Sequence, residues 1–75
     1  MEPYRDWDND SGVRAFEISE GQIDIQFKTG AVYRYTSVSA GSANFDQMVA
    51  LARAGEGLNN FINRVVKKRY SSRLR

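Results

Sequence analysis

Apolar and polar residues change their period twice along this 75-residue chain. Residues 1–11 show no apolar periodicity and hold Pro3, three aspartates, Asn9 and Ser11, which reads as a mobile or loosely docked arm. Trp7 is the exception, because an indole is costly to leave in water and is a candidate to pin the arm to the body. From Val13 the period becomes two. Val13 to Ser19 places Phe16 and Ile18 in alternation, and Gln22 to Lys28 sets Ile23, Ile25 and Phe27 against Asp24, Gln26 and Lys28. Ala31 to Thr36 is rich in aromatic and β-branched residues. Glu20-Gly21 and Lys28-Thr29-Gly30 punctuate these segments as hairpin turns.

The second turn decides where two tyrosines point. A two-residue Thr29-Gly30 loop would need Thr29 at positive φ, which a β-branched residue resists. A three-residue loop, Lys28-Thr29-Gly30, asks this only of Gly30. That register pairs Phe27 with Ala31, Ile25 with Tyr33 and Ile23 with Tyr35, and it favours Tyr33 and Tyr35 on the core face. A one-residue slip would turn both rings to solvent.

The period then becomes helical. Ser37 to Ser42 reads as a Ser/Gly/Ala linker, with Ser42 a fair N-cap and Asp46 near the positive end of the helix dipole. Phe45, Met48, Val49 and Ala52 recur at helical spacing until Gly55-Glu56-Gly57 stops the run. A second helix carries Leu58, Phe61, Ile62 and Val65 at i, i+3, i+4, i+7. The expected order is β-β-β-α-α: an α+β domain with a three-stranded antiparallel sheet and two helices on one face. The expected core is Phe16, Ile18, Ile23, Ile25, Phe27, Phe45, Met48, Val49, Leu58, Phe61, Ile62 and Val65. The chain divides into an arm over 1–11, a domain over 12–70 and a frayed basic tail over 71–75.

Composition removes whole classes of chemistry. The chain has no cysteine and no histidine, which excludes disulfides, thiolate or imidazole metal sites and Cys- or His-based catalysis. Its longest apolar run, Met48 to Ala52, is far short of the roughly 20 residues of a membrane span. The acidic, polar start is unlike a signal peptide, and a cytoplasmic protein is expected. Charge is unevenly placed. Residues 1–24 hold seven acids against Arg5 and Arg14, a net of −5, and residues 25–75 hold nine bases against Asp46 and Glu56, a net of +7. From Arg64 onward, Arg64, Lys67, Lys68, Arg69, Arg73 and Arg75 are basic and no residue is acidic.

An ordered set of motifs carries a family resemblance: Phe27-Lys28-Thr29-Gly30, then Tyr33-Arg34-Tyr35, then Ser39-Ala40-Gly41-Ser42-Ala43-Asn44. Leu51 to Asn63 and a basic run closing on Tyr70 complete it. Over roughly residues 12–70 the chain resembles the KTSC domain family, named for the C-terminus of some lysyl-tRNA synthetases. That family also occurs as small stand-alone bacterial and phage proteins. The stretch before the first helix is longer here than in the synthetase form. The resemblance implies RNA binding by association, and no catalytic residues.

The remaining candidates each have a bland alternative. Asp6, Asp8, Asp10 and Glu17 fall near calcium-loop spacing, but the glycine sits one place late and no helix enters the loop, so a solvated acidic arm is expected. Asp24 and Glu17 face each other across a hairpin as surface charge. Gly55-Glu56-Gly57 lacks the lysine and preceding strand of a phosphate loop. Tyr33 and Tyr35 are either core rings or base-stacking platforms. Lys67, Lys68 and Arg69 complement a helix C-terminus, which leaves Arg73 and Arg75 unexplained. With Arg64, Lys67 and Lys68 on one stripe, the expectation is a non-catalytic module without cofactor that binds RNA or single-stranded nucleic acid. The alternative is a homodimer or protein-interaction module joining acidic arm to basic helix.

Overall fold

In the computed structural model, which describes residues 1–7 and 12–75, five antiparallel strands lie side by side in chain order. They are β1 (Glu2–Pro3), β2 (Val13–Ser19), β3 (Gln22–Phe27), β4 (Val32–Thr36) and β5 (Ser72–Arg73). Between β4 and β5 come α1 (Ser37–Ala40), α2 (Ser42–Ala54) and α3 (Leu58–Phe61), the last running on as a π-helical turn, Ile62–Val66. The α+β class with an antiparallel sheet holds. The count does not: five strands and three helices replace the expected three and two.

The central hairpin has the register that its turn chemistry demands. Gly30 takes a φ of 96°, its N–H donates to the Phe27 carbonyl, and the Phe27 N–H donates to the Ala31 carbonyl. Ile25 therefore stands opposite Tyr33 and Ile23 opposite Tyr35. On β2 the register against β3 shifts between Val13 and Ala15, so Arg14 is the extra residue of a bulge. The bulge returns Val13 to the face that carries Phe16, and both are buried.

Both chain ends join the sheet: residues 2–3 of the expected arm and residues 72–73 of the expected tail pair with its edges, while residues 8–11 of that arm lie outside the described residues. Glu2 pairs with Phe16 and Pro3 with Ala15. Tyr4 is buried, its N–H donates to the Arg14 carbonyl, and its hydroxyl accepts the Leu58 N–H at 3.2 Å. Tyr4 pins the arm with its side chain. Trp7 adds a backbone bond to the Gly55 carbonyl, but its ring is 65% exposed. At the other end Arg73 pairs with Tyr33 and Ser72 with Arg34, and the Leu74 N–H donates to the Val32 carbonyl at 2.7 Å. These edge strands form because the open edges of β2 and β4 each present unpaired backbone groups that a nearby chain end can satisfy.

The helical layer departs from expectation at two places. The 37–42 linker contains α1, nucleated by a capping box in which Thr36 and Ser39 exchange side-chain and backbone hydrogen bonds. Ser42 is the first residue of α2 and not its cap: that place falls to Gly41, which offers no side-chain bond, and no acid lies in the first turn. Gly55, at a φ of 79°, ends α2 with its N–H on the Leu51 carbonyl. The second departure is Val65, which is 41% exposed, while Val66 is fully buried. The π turn is wider than an α turn, so the residue four after Ile62 stays inward and Val65 rotates out.

One core joins the sheet to the helices: Tyr4, Val13, Phe16, Ile23, Ile25, Tyr35, Ala40, Met48, Ala52, Leu58, Ile62 and Val66. Ile18, Phe27, Tyr33, Phe45, Val49, Leu51 and Phe61 pack against it half-buried. The opposite sheet face carries an ion pair. Asp24, 7% exposed, accepts from Arg34 Nε at 2.8 Å and Nη2 at 3.1 Å, a two-pronged contact in cross-strand register. The bond and charge of Asp24, with a smaller contribution from Glu17, hold the Arg34 guanidinium more firmly protonated than usual. Glu17 does stand opposite Asp24, but Asp24 is enclosed and not the surface charge expected.

Candidate nucleic-acid interface

Strand β4, the π turn and the segment leading to β5 converge on one cleft. Its volume is about 240 Å³, and Phe27, Tyr33, Tyr35, Ile62, Asn63, Lys67, Lys68 and Tyr70 line it. The hairpin register supplies Tyr33 and Tyr35 from the sheet. The chain leaves the helix at Lys67, with φ −6° and ψ −72°, and this exit sets Lys67 and Lys68 on the cleft wall. The Arg69 N–H then donates to the Val66 carbonyl, and the Ser71 N–H and hydroxyl both donate to the Arg34 carbonyl. These bonds fix Tyr70 between helix and sheet.

The rings form an edge-to-face cluster. Tyr70 lies 4.7 Å from Tyr33 at an interplanar angle of 67°, and 6.3 Å from Tyr35 at 88°. Phe27 meets Tyr33 at 5.8 Å and 80°. Such geometry sets the positive edge of one ring on the negative face of the next. The Arg73 guanidinium stands 5.5 Å from the Tyr33 centroid, while Arg73 Nε donates to the Arg75 carbonyl.

The tyrosines differ in what they offer. Tyr35 is 1% exposed, with its hydroxyl 3.4 Å from the Lys67 carbonyl, and it forms the floor. Burial, then the neighbouring Tyr33 and Tyr70, push its pKa up to about 12. An enclosed ring has no free face, so Tyr35 is removed from the stacking candidates. Tyr33 is half-buried in the wall, and Tyr70 is 38% exposed. Tyr70 has no place in the apolar periodicities, because it follows the helix and precedes a two-residue strand. Its only signal in the sequence is an aromatic set directly behind three consecutive bases.

The basic residues divide. Lys67 and Lys68 line the cleft and Arg73 covers Tyr33. Arg69 is exposed on the turn, and Arg75 is exposed with its backbone paired to Val32. Arg64 leaves the stripe. It lines a second groove with Leu51, Gly57, Asn60, Phe61 and Val65, because the helix ends before Lys67 and Lys68 can continue its face. Among the described residues no cluster of three or more acids suits a metal ion, and Asp8 and Asp10 of the calcium-like spacing lie outside them. Among those residues, too, no helix is long and apolar enough to cross a membrane.

A cleft of aromatic faces rimmed by cations, with no acid in its lining, suits a planar ring attached to a phosphate. No family model, curated protein or solved structure matches this chain.

Proposed function

We propose that this chain is a non-catalytic module that binds RNA or single-stranded nucleic acid at the tyrosine cleft. The observation that carries this reading is Tyr70, partly exposed against Tyr33 with Lys67 and Lys68 on the same cleft wall. A base stacks on Tyr70, and Lys67, Lys68, Arg69, Arg73 and Arg75 take the flanking phosphates. Arg64 lies outside this site. Aromatic stacking tolerates any base, so little sequence preference follows. The resemblance of residues 12–70 to the KTSC family points the same way from the sequence pattern alone.

Fluorescence anisotropy of a labelled single-stranded RNA, titrated with protein across a salt series, tests it. Five neutralised phosphates give a log–log salt slope of about −3.5 on a single strand. Changing Lys67 and Lys68 together to Ala makes that slope shallower by about 1.4. No binding to RNA or DNA at low salt ends the reading.

A further inference from the structure

The cations around the tyrosine cleft are not equivalent. Lys67 and Lys68 reach it on flexible four-carbon stems, and neither is held in an ion pair among the described residues. Arg73 is held in three ways. Its backbone pairs with Tyr33, its guanidinium stands 5.5 Å from the Tyr33 ring centroid, and its Nε donates to the Arg75 carbonyl at 2.7 Å. Residues directly opposite in an antiparallel pair send their side chains to the same face, so the strand pairing itself lays Arg73 along Tyr33.

With Nε engaged, the two terminal nitrogens of Arg73 are left over. The residue is exposed, and no acid among the described residues pairs with it. The end of the guanidinium then presents a planar fork of Nη1 and Nη2 donors, whose spacing matches two oxygens of one phosphate. Tyr33 links this fork to the base. Tyr70, with its partly exposed ring, lies 4.7 Å from Tyr33. Arg73 and Tyr70 therefore contact the same ring, which sets the fork beside the backbone of a base stacked on Tyr70.

We propose that Arg73 is the phosphate clamp of this site, gripping one backbone phosphate of a single strand through both terminal nitrogens and so fixing the strand's register on Tyr70. This clamp presupposes the nucleic-acid reading of the cleft and divides its labour. Lys67 and Lys68 supply charge, which another cation supplies as well. Arg73 supplies geometry. Its side chain is ordered before the ligand arrives, so less freedom is lost for each bond formed.

Exchanging arginine for lysine separates geometry from charge. In the anisotropy titration with single-stranded RNA, Arg73→Lys should leave the log–log salt slope unchanged and weaken binding by about tenfold. Arg73→Ala should weaken it at least as much and make the slope shallower by about 0.7. Lys68→Arg, the reverse exchange at a point charge, should change the affinity by less than about twofold. Circular dichroism checks that each variant is folded. Side-chain NMR of the wild-type protein tests the fork without any substitution. The Arg73 Nε–H should exchange with water more slowly than that of the exposed Arg53, and the Arg73 Nη hydrogens should shift and slow when the RNA is added. Wild-type protein that binds no RNA at low salt ends the reading of the cleft, and the clamp falls with it. Wild-type binding that Arg73→Lys leaves unchanged ends the clamp alone, as does an Arg73 Nε–H that exchanges as fast as that of Arg53. A glutamate-rich peptide that displaces the RNA and shows the same tenfold loss in Arg73→Lys would assign the fork to carboxylates and overturn the proposal too.

Discussion

Each end of the chain adds a two-residue strand to an edge of the sheet, and each brings a tyrosine toward the helices. Tyr4 is enclosed on every side, and its hydroxyl accepts the Leu58 N–H at the start of α3. Gly57, the residue before that helix, has no side chain to cap it, so Tyr4 acts as the cap from 54 residues away in sequence. Tyr70 packs edge-to-face on Tyr33 and Tyr35 but keeps more than a third of its surface in water. One ring is consumed by the fold and the other is offered to solvent. In a chain this small, that difference separates an aromatic that holds structure from one available to a ligand.

The largest effect should come from removing the enclosed ring. Tyr4→Ala should cost about 3–5 kcal/mol in urea denaturation, because it opens a cavity and orphans the Leu58 N–H together. A domain of this size has little more than that to lose. Tyr70→Ala, with its ring partly hydrated, should cost about 1 kcal/mol. Equal losses at the two positions would remove the contrast.

How much of this was legible depends on whether local chemistry or distant packing decides a residue's place. The β3–β4 register followed from the intolerance of Thr29 for positive φ, and the structure has it. The stop at Gly55 and the start at Leu58 followed from helical period and glycine. β1 and β5 were not legible, because a two-residue bridge has no period of its own and exists only where a sheet edge is open. Tyr4 looked like part of an acidic arm because its partner, Leu58, is remote in sequence. Val65 was placed inward by a 3.6-residue period that the π turn interrupts, and the same interruption divides Arg64 from Lys67 and Lys68. The sequence therefore pointed to the cleft's basic residues and Tyr33, but missed Tyr70, whose position depends on the chain's exit from the helix.

Alkaline pH probes the floor between these two regions. Burial favours the neutral phenol of Tyr35, so its pKa in the folded protein, about 12, lies above its ordinary 10.0. The stability this contributes is complete below pH 10 and is lost as pH rises toward 12. Urea midpoints measured across that window should fall by an amount equivalent to about 2–3 kcal/mol. Tyr35→Phe, which cannot ionise, should flatten that part of the decline. An unchanged decline would show that other groups cause it.

A smaller effect is expected at Tyr70 in binding. If a base stacks there, Tyr70→Ala should weaken single-stranded RNA by about 1–2 kcal/mol in anisotropy while the protein stays folded. Tyr33→Ala is less clean, because Tyr33 also packs against the core. An affinity unmoved by Tyr70→Ala would leave Lys67, Lys68 and the arginines as a purely electrostatic surface.

The smallest change isolates the hydroxyls. Tyr4→Phe keeps the ring and its packing and removes one oxygen. The Leu58 N–H loses its acceptor at a buried helix start, where Gly57 cannot substitute and water has no access. The cost of such an orphaned donor is about 1–2 kcal/mol. Tyr70→Phe removes an oxygen from a ring open to solvent, and surface changes of this kind stay within about 0.5 kcal/mol. Amide hydrogen exchange adds a local readout, because Leu58 should lose protection in Tyr4→Phe and keep it in Tyr70→Phe. If Tyr4→Phe is as silent as Tyr70→Phe, the hydroxyl does not cap α3, and Tyr4 holds the arm by ring packing alone.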